Sequence, residues 1–279
     1  MQFFKLAERM VQAALPPPVF AVVHRAERRV RSSMWRITHP GREHACPFCG
    51  KQFGKFIPYV NRYEISVTAD IVSGQSTRTN KCPSCGSYDR ERGLYFYFKQ
   101  NNIAFAGKRV LHVAPEGSLH SLIAASGCME YVCGDLDPRS YYPVSSRIRK
   151  VDLLDIDYPD RYFDIVICNH ILEHIPDDLA AMKGIFRVLK SQGAAILLVP
   201  IGAKLNKTYE DATKITAEER AQAFGQYNHV RIYAEGDYLD RLRSVGFRAT
   251  AETCRLSEKD RVRYGINGRE KIYVAARPE

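Results

Sequence analysis

The segment from Phe163 to Pro200 constrains this chain more than any other. Asp164-Ile165-Val166-Ile167-Cys168 is apolar after its first residue, the pattern of a parallel strand covered on both faces. A polar loop, Asn169 to Asp178, follows it. Leu179, Met182, Phe186 and Leu189, spaced three, four and three apart, predict one apolar face of a helix. Asp177 and Asp178 suit its N-terminal turn and Gly193 its C-terminal end. Ala194 to Val199 then reads as a second buried strand. Strand, loop, helix and strand make half of a doubly wound sheet, which binds ligands in the crevice beyond the carboxyl ends of its strands.

The surrounding sequence extends that pattern. Arg109–Val113, Tyr131–Cys133 and Ile148–Val151 read as three earlier strands, with a helix over Ser118–Ser126. Tyr238–Phe247 reads as a helix stopped by Gly246. Arg248–Cys254 and Lys271–Ala275 read as two late strands joined by a charged loop. Such alternation predicts an α/β fold with right-handed crossovers and a mostly parallel sheet. Three zones follow: a basic N-terminal arm over 1–40, a cysteine-bearing region over 41–104 and the α/β domain over 105–279.

The cysteine-bearing region has its own logic. Cys46-Pro47-Phe48-Cys49-Gly50 and Cys82-Pro83-Ser84-Cys85-Gly86 are two copies of one tight turn. Each sets two thiolates on one side, with Gly50 and Gly86 giving the backbone freedom needed beside a coordinated sulfur. Cys46, Cys49, Cys82 and Cys85 suit a tetrahedral structural Zn²⁺. Phe56–Val60 and Tyr63–Val67 look strand-like, so the expected unit is a zinc ribbon with an extended hairpin. His39 and His44 are read as bystanders. After the second knuckle Ser87 is the expected N-cap of a helix whose Leu94, Tyr97 and Phe98 dock the ribbon on the large domain, with Arg90 and Arg92 toward the cleft. A redox dithiol fits less well, because the knuckle is duplicated and no thioredoxin-like unit flanks it.

Charge and composition bound the partners. The net charge is +10, which admits nucleic acid, a phosphorylated substrate or a membrane surface. Cys128, Cys133, Cys168 and Cys254 sit in apolar surroundings, where cysteine acts as a small hydrophobe. Without a disulfide framework a reducing, cytoplasmic setting is expected. No apolar run reaches the roughly 20 residues that span a bilayer. The arm opens on a weak amphipathic helix at Met1–Lys5, ended by Pro16-Pro17-Pro18, and carries Arg25, Arg28, Arg29 and Arg31. It fits a signal peptide poorly and is read as solvated, packed on its own protein, or peripheral to the inner face of a membrane.

The run from Phe163 to Pro200 resembles the middle of class I S-adenosyl-L-methionine (SAM)-dependent methyltransferases. The resemblance implies a Rossmann-like, doubly wound, mostly parallel seven-stranded sheet with SAM as cofactor. The turn after the first strand is Ala114-Pro115-Glu116-Gly117, where the fold usually carries three glycines. Asp135 lies 21 positions after Ala114, where a carboxylate accepts ribose hydroxyls, and Leu136 follows it. Asp152 and Leu153 are placed for the adenine, and Asn169 with His170 beside the reacting methyl.

From Cys46 to about Phe247 the chain also resembles one bacterial methyltransferase family with an N-terminal Cys-Pro-x-Cys-Gly ribbon. The shared segments are the knuckle followed by Arg90 and Arg92, Leu111–Glu116, Cys168–Asp178, Arg187–Lys190, Thr208–Asp211 and Phe224–Tyr233. In that family the Ala-Pro-Glu turn replaces the glycines, while Asn228 stands where an aspartate is expected. Some members are associated with surface-polysaccharide and glycan pathways.

The polar insert between Gly202 and Tyr233 is expected over the cleft, with Glu210, Asp211, Gln226 and Arg231 toward the acceptor. His229 is the first candidate for general base and His170 the second, since imidazole titrates near neutral pH. Glu173 and His174 are read as anchors of the helix start. The leading expectation is O-methylation of a sugar, glycan or other small hydroxylated acceptor. The alternative is an RNA methyltransferase that grips nucleic acid with the ribbon and arm. A non-catalytic SAM-binding module is the third.

Overall fold

The computed structural model describes residues 26, 30, 32–59, 63–73, 79–141 and 147–279. Most of the basic arm, with its proposed membrane or RNA contact, lies outside the described residues. Among the described residues no helix is long and apolar enough to cross a membrane.

The cysteine-bearing region begins with β1 (His44–Ala45) and β2 (Gln52–Phe53), which pair antiparallel around the first knuckle. β3 (Ile57–Tyr59) pairs antiparallel with β4 (Thr79–Lys81), which leads into the second. Cys46, Phe53, Phe56 and Cys82 are its buried apolar core. The expected extended hairpin is interrupted: Tyr63–Val67, read as strand, falls largely in helix α1 (Glu64–Thr68). Among the described residues no strand lies beside it to take up its β-branched residues. Instead Ala69 and Ile71, which follow it, bury against Phe224 and Ile232 of the later insert. The backbone then runs along the large domain, with Val72 N donating to Ile201 O at 2.9 Å. This leg of the inter-knuckle segment therefore belongs to the α/β domain in contact if not in sequence.

α2 (Asp89–Gln100) joins the two parts. Its N-cap is Tyr88, whose N–H donates to Glu91 Oε1, and not Ser87. The Ser87 hydroxyl instead lies 3.3 and 3.4 Å from the sulfurs of Cys46 and Cys85. Leu94, Tyr97 and Phe98 bury in the main core. Arg92 is wholly buried: it stacks on Phe56 and donates to the Ser87, Tyr264 and Gly265 carbonyls, so it faces the ribbon junction and not the cleft.

The α/β domain begins with β5 (Arg109–Val113), α3 (Gly117–Ala124), β6 (Glu130–Asp135) and β7 (Ile148–Lys150). β8 (Phe163–Cys168), α4 (Asp178–Val188) and β9 (Leu189–Ile196) follow. The insert contributes β10 (Tyr209–Glu210), α5 (Ala217–Phe224) and β11 (Arg231–Ile232). α6 (Glu235–Val245), β12 (Arg248–Glu252), α7 (Glu258–Tyr264) and β13 (Ile272–Ala276) close the chain. The main sheet has seven strands in the order β12-β13-β9-β8-β5-β6-β7. β13 alone runs antiparallel to its neighbours. This is the doubly wound, Rossmann-like order of the class I methyltransferase fold. The chain crosses from β5 to β6 on one side and from β8 to β9 on the other, so the switch point falls between β5 and β8.

Three local expectations are corrected. The core face of α4 is Ala181, Met182, Ile185 and Val188, with Leu179 and Phe186 only partly buried and Leu189 already in β9. Gly193 does not end that helix: it lies in β9, where a Cβ would meet Lys190 O at 2.9 Å and Asp164 O at 3.0 Å. The charged loop between the last strands holds α7, begun by a Ser257 cap and stopped by Gly265 at φ +58°. α7 reaches back to the ribbon, where His44 Nδ1 lies 2.8 Å from Val262 O.

Candidate active site and the cysteine cluster

The turn after β5 is built without the usual glycines. Ala114 takes a positive φ of 47°, a conformation costly for a side-chain residue, held by its N–H on Gly134 O at 2.8 Å. Glu116 precedes α3 and bonds to His112 Nε2 at 2.9 Å and Asn169 Nδ2 at 3.2 Å, tying the tips of β5 and β8 together. Burial pushes the Glu116 carboxyl up, but the His112 hydrogen bond and the Arg90 charge outweigh it and hold the group below its ordinary value. Pro115 is buried beside it, and a Cβ on Gly117 would meet nothing within 4 Å, so the mouth of the turn is open. On β6, Gly134 is needed for packing, since a Cβ there would lie 2.5 Å from Val151 Cγ2. Sequence reading passed over Gly134 and His112, because each earns its place through a neighbouring strand.

Asp135 ends β6, accepting from Asp137 N at 2.8 Å on one oxygen and from Tyr141 OH at 3.0 Å on the other. A carboxylate has four acceptor positions, so two remain for a vicinal diol. Asp152 accepts from Leu154 N at 2.9 Å through Oδ1 only. Leu136 is exposed at the rim, whereas the side chain of Leu153 is buried in the core. A ligand at Leu153 would therefore meet its backbone.

Asn169 and His170 stand just beyond β8. Asn169 is buried, and His170 has a positive φ of 57°, with its N–H on Leu198 O at 2.7 Å. His170 Nε2 lies 3.4 Å from Ser73 Oγ, which donates to Glu270 Oε1. Ser73 comes from the segment between the knuckles and Glu270 from the chain before β13. Burial pushes the Glu270 carboxyl up to about 8. Burial, then the Arg90 charge, presses His170 well below 6.5. Arg90 does face this crevice. It sits among Glu116, Glu91, Glu270 and Asp89, whose charges outweigh burial and raise its pKa, and its Nε is buried without a partner. Ser73 also lines a cleft of mixed polar and apolar surface with Gly202, Leu205, Glu235, Lys271 and Tyr273.

Behind His170 lies a second polar group. Glu173 is 1% exposed, with His170 Nδ1 3.5 Å from its Oε1. His174 and His229 flank the same oxygen, their rings packed edge to face at 4.6 Å. Burial raises the Glu173 carboxyl to about 8 and lowers His229 to about 3. His229 is 3% exposed and packs against His174 and Glu173.

The insert folds over this region, but its charged residues are spent on internal pairing. Arg231 is buried, bonding Glu210 Oε2 at 2.9 Å and the Leu172, Ile175 and Pro176 carbonyls. Arg241, absent from the sequence reading, bridges Glu210 and Asp178. Asp211 closes its own turn onto Thr213, and Gln226 donates to Asn228 Oδ1 at 2.8 Å. Glu210, Asp211, Gln226 and Arg231 thus stabilise the insert and the loop it clamps.

The four cysteines of the knuckles come together as their spacing predicts. Their sulfurs all lie within 4.8 Å of one another, with Cys46–Cys85 at 3.5 Å and Cys49–Cys82 at 3.9 Å. Gly50 and Gly86 take positive φ of 68° and 83°, closing each knuckle by an N–H to the carbonyl of its first cysteine.

Residues 111–197 match a family described as "Methyltransferase domain". With the strand order, this match accords with the class I methyltransferase, Rossmann-like fold of the seven-stranded sheet. Several solved structures share the architecture at low identity. A SAM-dependent methyltransferase from Mesorhizobium loti is 14% identical, with 64% of this chain and 94% of that one covered and a TM-score of 0.49. The YcgJ protein from Bacillus subtilis is 15% identical, covering 67% and 97% at 0.46. A SAM-dependent methyltransferase from Archaeoglobus fulgidus is 16% identical, covering 69% and 95% at 0.45. No curated protein matches the chain.

Proposed function

We propose that this protein is a SAM-dependent methyltransferase acting on a hydroxyl of a sugar, glycan or other small hydroxylated acceptor, and that Cys46, Cys49, Cys82 and Cys85 hold a structural Zn²⁺. One observation carries the acceptor reading: His170, Ser73 and Glu270 converge beyond β8, and Ser73 also lines a cleft with Glu235, Lys271 and Tyr273. The turn 114–117, Asp135, Asp152 and Asn169 supply the surface for the cofactor. The open space at Gly117 and the two free acceptor positions of Asp135 fit a nucleoside there. SAM, when bound, supplies an electrophilic methyl group. The protein's part is to align the acceptor oxygen and take up its proton. His170 Nε2, in the tautomer that leaves this nitrogen unprotonated, is the acceptor of that proton, beside Ser73, whose hydroxyl is given to Glu270. His229 is buried against Glu173, and a supporting role suits it.

Transfer of labelled methyl from SAM to glycan extracts tests the reading. His170→Ala is expected to lower kcat by about 10²–10⁴-fold, the range of general acid–base catalysis. Transfer to RNA with salt-dependent RNA retention, and none to hydroxylated small molecules, would select the nucleic-acid alternative.

A further inference from the structure

We propose that Glu173, His174 and His229 form a second metal site, for a divalent transition ion such as Zn²⁺, separate from the four cysteines. Glu173 Oε1, one nitrogen of His174 and one of His229 all lie within 4.8 Å of one another. The carboxylate oxygen is 4.0 Å from His174 Nε2 and 3.9 Å from His229 Nε2. Donors placed about 2.1 Å from a tetrahedral ion are about 3.4 Å apart, so the site closes on an ion by shifts of roughly half an ångström.

The second observation is Glu173 itself. It is 1% exposed, and among the described residues neither carboxylate oxygen has a hydrogen-bond partner. Protein interiors rarely leave such a group unmatched; buried charges are paired or coordinate metals. One imidazole is held as a ligand is held. His174 Nδ1 lies 3.1 Å from the Asn228 carbonyl, which directs Nε2 toward Glu173. An outward hydrogen bond of this kind fixes the tautomer of a metal-bound histidine.

Two imidazoles and a carboxylate suit Zn²⁺, Fe²⁺ or Ni²⁺ and differ in kind from the sulfur set of the knuckles. The ligands also come from two places. Glu173 and His174 lie in the loop after β8, and His229 lies in the insert. The ion would staple the insert to the loop that presents His170, beside the Val230 N–H on Glu173 O at 2.9 Å. His174, with 24% of its side chain exposed, is the side from which it enters. The site does not depend on which acceptor is methylated.

The test is metal stoichiometry of the full chain. The purified protein is dialysed against Zn²⁺ and its bound zinc counted by elemental analysis. Two equivalents are expected in the wild type. Glu173→Gln and His229→Ala should each keep one, and Cys82→Ser should lose the other. A wild-type count below two overturns the proposal, as does a second equivalent that survives both Glu173→Gln and His229→Ala. Should those variants fail to fold, a zinc-edge anomalous map of wild-type crystals decides. A peak between Glu173, His174 and His229 supports the site, and its absence there overturns it.

Discussion

The ribbon and the methyltransferase domain reach order by opposite routes. The ribbon has two-stranded pairings and four buried apolar residues, two of them cysteines. The larger domain buries both faces of its central strands, from Leu111 on β5 to Val166 on β8 and Ala195 on β9. A core as small as the ribbon's does not offset chain entropy alone, whereas the larger one does. Yet the ribbon region contributes Ser73 and Arg90 to the crevice. The weaker unit thus completes the site of the stronger one.

The sharpest way to break this contrast is at the cysteines. Cys82→Ser, or prolonged chelation, should disorder residues 44–86 while the α/β domain keeps its sheet. Structural zinc is worth about 10–16 kcal/mol in small metal-folded domains, so the ribbon should not survive its loss. Activity should fall at least about 100-fold, because Ser73 leaves the crevice. Hydrogen exchange localises the change, and uniform loss of protection across both regions would refute the division of labour.

Val166→Ala inverts the experiment. It should cost the larger domain about 1–3 kcal/mol of unfolding free energy, since a fully buried side chain loses two methyl groups. Bound zinc should stay unchanged, as measured by denaturant titration alongside metal content. Asp135→Ala should leave both units folded and weaken SAM binding by more than about tenfold, roughly 1.4 kcal/mol. An unchanged calorimetric affinity would remove the ribose role.

The smallest effect concerns pH. The Glu270 carboxyl is raised to about 8 in the folded chain from an ordinary 4.5. Between those values the folded state holds a proton that the unfolded state has lost, so stability falls as pH rises through this window. Partial exposure reduces the effect to about 1 kcal/mol. Glu270→Gln should flatten the curve between pH 5 and 8 by that amount, and an unaltered thermal-melt profile would show that Glu270 does not carry it.

Much of the fold was legible before any coordinates. The strand runs at 109–113 and 163–168 are mostly apolar and rich in β-branched residues, and such runs have few alternatives to a buried parallel strand. The knuckles were legible because both ligands of each pair sit three residues apart in one turn. Tyr63–Val67 misled, because its β-branched residues favour a strand and only the apolar contacts after it decide otherwise. Glu210 and Arg231 show how partners distant in sequence enter an insert. Charge in an insert suggests substrate, but Arg241 and Asp178, distant in sequence, claim both.

By itself, then, the sequence determined the order of strands and helices, the pairing of cysteines within each knuckle and the carboxylates at the strand tips. All of these arise from local periodicity or short spacing. Tertiary structure alone decided that Ser73, Glu270 and Arg90 meet at His170, and that Glu173 is buried between His174 and His229. Those groups come from segments as far apart as 73 and 270, and only the packed sheet brings them together.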